Sequence, residues 1–203
     1  MKRLEILNQR TDIKTLNWLV KIGLGVSFFI AIFFPPDVLA GKGMGARAPL
    51  FMATAILVPV VFALRGTNIF KSKNYPHLSD FLMALPFLLD TLGNLFGFYN
   101  NYNATDDVLH VTNWMLLIPG IATLVYRNRD SLKDFTLIGS GISAMAIIGW
   151  EAFEWLISDA GPLAGKTPDA LSLSYGDTIG DLVLSFSGGV IGILIMRSIL
   201  RKS

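Results

Sequence analysis

The chain has 203 residues, of which 52% are hydrophobic and only 16% charged, and its mean hydropathy is +0.53. Soluble domains carry roughly 25% charged residues, so a soluble globular protein is excluded, and the absence of cysteine excludes disulfide scaffolds, thiol catalysis and thiolate metal sites. The net charge of +2, with no long basic run, gives no basis for nucleic-acid binding.

Six apolar blocks follow in chain order, most near the length that crosses a bilayer. They cover about 16–34, 49–64, 81–99, 108–126, 135–158 and 178–199 of a single transmembrane domain, 1–203. The first stops at Pro35-Pro36, the second is short and holds Pro59, and the third and fourth hold Pro86 and Pro119. Internal prolines are tolerated where neighbouring helices satisfy the freed backbone groups. Gly139 with Ser143, and Gly188 with Gly192, have the small-xxx-small spacing of closely approaching helices. Val38-Leu39-Ala40 resembles a cleavage site, but the leader is too long and its apolar stretch too extended for a signal peptide. An uncleaved first helix is expected.

The basic residues predict orientation. With the N-terminus inside, 13 of them fall in cytoplasmic segments, from Lys2 to Lys202, and only Lys42, Arg47 and Lys166 fall outside. Lys21, near the inner end of the first helix, can snorkel to the interface. The fold expected is therefore all-α, a polytopic protein of the cell (inner) membrane with six transmembrane helices and both termini cytoplasmic.

Some acidic residues have ordinary readings: Asp80 as a helix cap, and Glu5, Asp12, Asp130 and Asp134 as solvated groups near basic ones. His77 reads as an interfacial histidine. Seven carboxylates on the outer side do not fit that pattern. Asp90 lies inside the third helix with Asn94 one turn on; Asp106, Asp107 and His110 open the fourth; Glu151 and Glu154 lie in the fifth; Asp177 and Asp181 open the sixth. Spacings of three and four put each set on one helical face. Asp106, Asp107 and Asp177 could cap helix N-termini, whereas Glu151, Glu154, Asp181 and Asp90 lie too far along their helices. A carboxylate in hydrocarbon costs about 2.5–3.5 kcal/mol on the insertion scale, so the set must share protons or bind cations. Trp150 and Trp155 flank the glutamates and Trp114 follows His110, which suits an interfacial aromatic belt.

Carboxylates with one imidazole form a hard, oxygen-rich field suited to Mg²⁺, Mn²⁺ or Ca²⁺, and to Zn²⁺ through the histidine. The outer half holds one histidine, which disfavours a ferritin-like di-iron site, and no nucleophile-elbow, P-loop or Rossmann pattern is present. Asp177-x-x-x-Asp181 and Asp90-x-x-x-Asn94 have the spacing of metal-binding carboxylates in membrane enzymes of lipid diphosphates. The expected metal ligands are Asp90, Asp106, His110, Glu151, Glu154, Asp177 and Asp181, with His110 and Asp107 as candidate catalytic groups. Three functions fit: a metal-dependent enzyme acting on a lipid or lipid-linked phosphate, a divalent-cation or proton-coupled transporter, and a metal-stabilised scaffold. The expected partners are membrane lipids. A carrier this small would need to dimerise, so a homo-oligomer is compatible with the second function.

Asp106-x-x-x-His110, Glu151-x-x-Glu154-Trp155 and Gly176-Asp177-Thr178-x-x-Asp181 in succession resemble the motifs of the YjdF-like family of small bacterial inner-membrane proteins, and more remotely those of VanZ-like proteins. The resemblance covers roughly Asp90 to Gly192. It implies a multi-helix membrane protein whose acidic and histidine residues form the site, and it supplies no activity. Before Asp177 this chain reads LSLSYG, where that family has a longer glycine- and glutamine-containing run.

Overall fold

A computed structural model describes residues 2–35, 37, 44–69, 72–126, 131–157 and 174–201. The Val38-Leu39-Ala40 stretch and residues Lys42, Lys71, Arg127, Arg129, Asp130, Asp159, Lys166, Asp169 and Lys202 lie outside the described residues. All regular structure among the described residues is helical, in eight segments: α1 (Lys2–Gln9), α2 (Thr11–Phe33), α3 (Met44–Leu64), α4 (His77–Leu95), α5 (Phe98–Asn101), α6 (Thr105–Tyr126), α7 (Leu132–Ile157) and α8 (Tyr175–Arg201).

Five of them, α2, α4, α6, α7 and α8, are long and apolar enough to cross a membrane, and Ala48–Leu64 of α3 is a shorter apolar helix. The chain is a multi-pass membrane protein. The first span starts at Thr11 rather than Leu16, because Asp12 and Lys14 extend the helix as its first turn. Leu19, Ile22, Val26 and Phe29 of α2, and Val183, Ile191 and Leu194 of α8, are exposed. Outward apolar faces of this extent are what lipid-facing helices present.

The packing order is α3, α2, α4, α6, α8, α7. One apolar core joins α4, α6, α7 and α8 around Ile118, Phe135, Ile147 and Ile193; a second joins α2, α3 and α4 around Leu24, Phe51 and Ala84. The predicted close approach is present at Gly188 and Gly192. A Cβ at Gly188 would run into the carbonyl oxygen of Val111, and one at Gly192 into that of Met115. Helices α6 and α8 therefore run in the same direction with their backbones almost touching, and their N-terminal ends lie side by side.

Lys21 and Asp80, expected at helix ends, and His77, expected at the interface, have a different place. Lys21 does not snorkel: its ammonium is 2.8 Å from Asp80 Oδ1, with side chains 8% and 0% exposed, and it also donates to the carbonyl oxygen of Ala55. Asp80 is not a cap: its Oδ2 accepts from Asn17 Nδ2 at 2.8 Å and from the Tyr75 hydroxyl at 2.6 Å. His77 is buried rather than interfacial, with Nδ1 3.4 Å from Asn17 Nδ2. Burial, reinforced by Asp80, pushes the Tyr75 hydroxyl far above its ordinary range, so it remains a donor.

Helix α4 begins at His77 after Pro76, which has no side-chain cap. Asn8 of α1 supplies the missing acceptor, its Oδ1 taking the Leu78 N–H at 2.9 Å. Asn8→Ala should lower stability by about 1 kcal/mol, the usual worth of a capping acceptor, and thermal unfolding in detergent measures it. Unchanged unfolding would mean that α1 does not hold the start of α4.

Candidate functional site

The N-terminal turns of α6 and α8 meet the C-terminal halves of α4 and α7 at the bundle end away from the Lys21–Asp80 pair. Parallel packing of α6 on α8 sets Asp106 and His110 beside Asp181 and Ser185. His110 Nε2 is 3.7 Å from Asp106 Oδ1 and 3.5 Å from Asp181 Oδ1. On the other side of the ring, Nδ1 is 2.9 Å from the buried Ser185 hydroxyl. One ligand atom from each of Asp106, His110 and Asp181 lies within 4.8 Å of the other two. The histidine side chain is 11% exposed and that of Asp181 8%, while that of Asp106 is 47% exposed, so the group is open on one side.

These separations fit a small cation. With metal–oxygen and metal–nitrogen bonds of about 2.0–2.4 Å, two ligands of one ion lie about 3–4.8 Å apart. The Ser185 contact also matters: when Nδ1–H donates to that hydroxyl, the Nε2 lone pair faces the space between the carboxylates. Such outer contacts fix the tautomer and direction of ligating histidines.

Helix α7 brings the glutamates. Glu151 and Glu154 are 7% and 8% exposed, and Glu151 Oε1 is buried with no hydrogen-bond partner. The charges of Glu154, Asp181, Asp177 and Asp106 all act on Glu151. An unpartnered carboxylate oxygen among like charges is costly in a low-dielectric setting.

The remaining predicted residues are arranged around this group. Asp90 is not among the three clustered ligands; its Oδ1 accepts from the Tyr99 hydroxyl, with Asn94 Nδ2 3.5 Å from Oδ2. The turn at Gly97, with φ of +69°, allows α5 to fold Tyr99 back onto α4. Asp107 and Asp177 are exposed, and the Asp177 N–H donates to Ser174 Oγ at 3.1 Å, in the first turn of α8. A cavity of about 80 Å³ adjoins the group, with Asp90, Tyr99, Asp106, His110, Asn113 and Glu154 among its lining residues.

Sequence reasoning missed Tyr99, Asn113 and Ser185 here, and Asn17 and Tyr75 at the other end. Asn17 and Lys21 do carry a signal, since polar residues four apart in an apolar helix share a face. Tyr99 carries none, because it depends on how the chain turns after α4.

The profile of a family described as predicted membrane proteins (DUF2238) matches residues 16–202, nearly the whole chain, and the chain belongs to that family. No curated protein and no solved structure matches it.

Proposed function

We propose that this member of the predicted membrane protein family is a metal-dependent membrane enzyme acting on a lipid or lipid-linked phosphate. The observation that carries the reading is the convergence of Asp106, His110 and Asp181 from two helices, with the unpartnered oxygen of Glu151 nearby. Asp106, His110 and Asp181 would hold a divalent ion, and Glu151, Glu154 and Asp177 would supply further oxygens or negative charge. Such an ion polarises a phosphoryl oxygen and activates bound water. The partial exposure of Asp106 leaves an approach for a substrate, and exposed apolar faces give the surrounding helices contact with lipid. The order of the Asp–His, Glu–Glu and Asp–Asp motifs, resembling YjdF-like and more remotely VanZ-like proteins, agrees with this choice of residues. Orientation by the basic residues would put the site on the extracytoplasmic side.

Metal analysis of the purified protein tests the reading. The wild type should hold a divalent ion, or gain thermal stability from Mg²⁺, Mn²⁺, Ca²⁺ or Zn²⁺. An ion at 100 times its dissociation constant stabilises by about 2.7 kcal/mol. Asp181→Asn and His110→Ala should each weaken that response at least tenfold. A wild type that holds no metal and ignores all four ions would refute the proposal.

A second reading, cation or proton transport, is favoured by one observation. Charged and polar residues continue beyond the site: Asp80, Lys21 and Asn17 lie toward the other end of the bundle, and α4 carries both Asp80 and Asp90. Ten residues of helix separate those two by about 15 Å. Cation-driven flux into proteoliposomes, abolished by Asp90→Asn, would select transport over hydrolysis. Metal-dependent stability without flux or turnover would select a scaffold.

A further inference from the structure

We infer that the cavity beside Asp90 binds the ammonium group of a small organic cation. This goes beyond the metal reading and does not depend on it. The cavity of about 80 Å³ is walled by the aromatic rings of Phe51, Phe87, Tyr99, Trp114 and Trp150. Phe51 and Phe87 are paired with ring centres 6.0 Å apart and planes tilted by 53°, so α3 and α4 jointly form one wall. Trp114 is 7% exposed and belongs to the central core, which makes it a fixed wall. Among the described residues that line the space there is no lysine or arginine.

The lining also holds Asp106, Glu154 and His110 of the candidate metal site, so carboxylates outnumber the one side chain that can carry positive charge. Asp90 Oδ1 accepts from the Tyr99 hydroxyl, and its Oδ2 lies 3.5 Å from Asn94 Nδ2. Both partners are neutral, so they orient the carboxylate without cancelling its charge. Asn113 also lines the cavity, and its Oδ1 is buried with no hydrogen-bond partner.

Three chemistries could enter such a space, and two fit poorly. An apolar group would leave the Asp90 carboxylate without compensation. An anion would face Asp90 with no lysine or arginine in the wall. An ammonium meets carboxylates and aromatic side chains, the combination by which aromatic cages bind such ions. Size agrees: if one water needs about 10–15 Å³ on this scale, the cavity holds roughly five to eight water-sized groups. That accommodates an amino-alcohol headgroup and not a lipid chain. The ammonium could belong to a free amine or to a zwitterionic lipid headgroup.

The test uses the full chain in a maltoside detergent with EDTA present throughout, so metal has no part in it. Tryptophan fluorescence and thermal unfolding are followed on titration with ethanolamine, choline and 3,3-dimethyl-1-butanol, the uncharged isostere of choline. A saturable response to at least one ammonium compound and none to the isostere is expected. The response should require at least tenfold more ligand in Asp90→Asn and in Trp150→Leu. An isostere that acts as well as choline, or no response from either ammonium compound, overturns the inference on the wild type alone. A response unchanged in whichever of the two variants folds also overturns it. Repeating the titration in nanodiscs of phosphatidylethanolamine and of phosphatidylglycerol identifies the source. Weaker ethanolamine binding in the first lipid marks a headgroup as occupant, and equal binding marks a free amine.

Discussion

Gly192→Val should prevent α6 and α8 from packing and leave little folded protein to purify. A Cβ at Gly192 would occupy the space of the Met115 carbonyl and the Pro119 ring, neither of which can rotate away as a side chain does. Overpacking a core costs about 1–3 kcal/mol when side chains can adjust, and here the two backbones must separate instead. The position has a specific cause. Pro119 has no N–H, so the Met115 carbonyl one turn earlier lacks its usual helical donor. A glycine lets the neighbouring backbone come close enough for its Cα hydrogens to face that oxygen, a contact common where helices cross. Asp181 and Ser185 lie on α8 before this crossing and face His110. Moving α8 away therefore opens the candidate site along with the core. Gly192→Ala should be milder but still clearly destabilised, and Gly188→Val should resemble Gly192→Val because Val111 lies in the same relation to it. Yield of monodisperse protein and unfolding temperature in detergent report the effect. A Gly192→Val protein that unfolds at the wild-type temperature would show that α6 and α8 do not meet this way.

Asp80→Asn should cost about 3–5 kcal/mol, the usual price of breaking a buried pair, and a second change should recover much of it. Lys21 is left with its ammonium among the apolar side chains of α2, α3 and α4 once the 2.8 Å contact loses its charge. Asparagine keeps one oxygen for the Asn17 amide and the Tyr75 hydroxyl, but its NH₂ then faces the Lys21 ammonium, so the charge and one acceptor are lost together. Lys21→Met alone should be equally harmful, because it leaves Asp80 ionised with only Asn17 and Tyr75 as donors. The double variant removes both charges and should be more stable than either single one. A double-mutant cycle on thermal unfolding measures the coupling. Additive losses would show that the two groups do not stabilise one another. The same three proteins, assayed for flux, also bear on transport: a stable double variant with intact cation movement would remove these residues from any pathway.

Much of the architecture was legible in the sequence. Apolar blocks of about 20 residues gave the spans, since hydrocarbon demands a continuous apolar helix whatever its neighbours are. Helix spacing also put Asp106 with His110, and Glu151 with Glu154, each pair on one face. The glycine pair at 188 and 192 announced a close crossing. The second block is short, and the described apolar part of α3 falls below the length of the five helices long enough to cross a membrane.

What the sequence determined by itself is thus a membrane-embedded helical chain with carboxylates where hydrocarbon should exclude them, because solvation by lipid acts on each segment independently. Which charges meet was decided by the tertiary structure. Lys21 and Asp80 are separated by two helix connections, and each looked like a residue at the end of its own helix until α2 and α4 packed together. Parallel packing of α6 and α8 selects Asp106 and Asp181 from seven acidic candidates, joins them to His110 and leaves Asp107 exposed. The turn at Gly97 carries Tyr99 to Asp90. Register between helices depends on backbone contacts such as Gly192 on Met115, and no periodicity within a single helix encodes it.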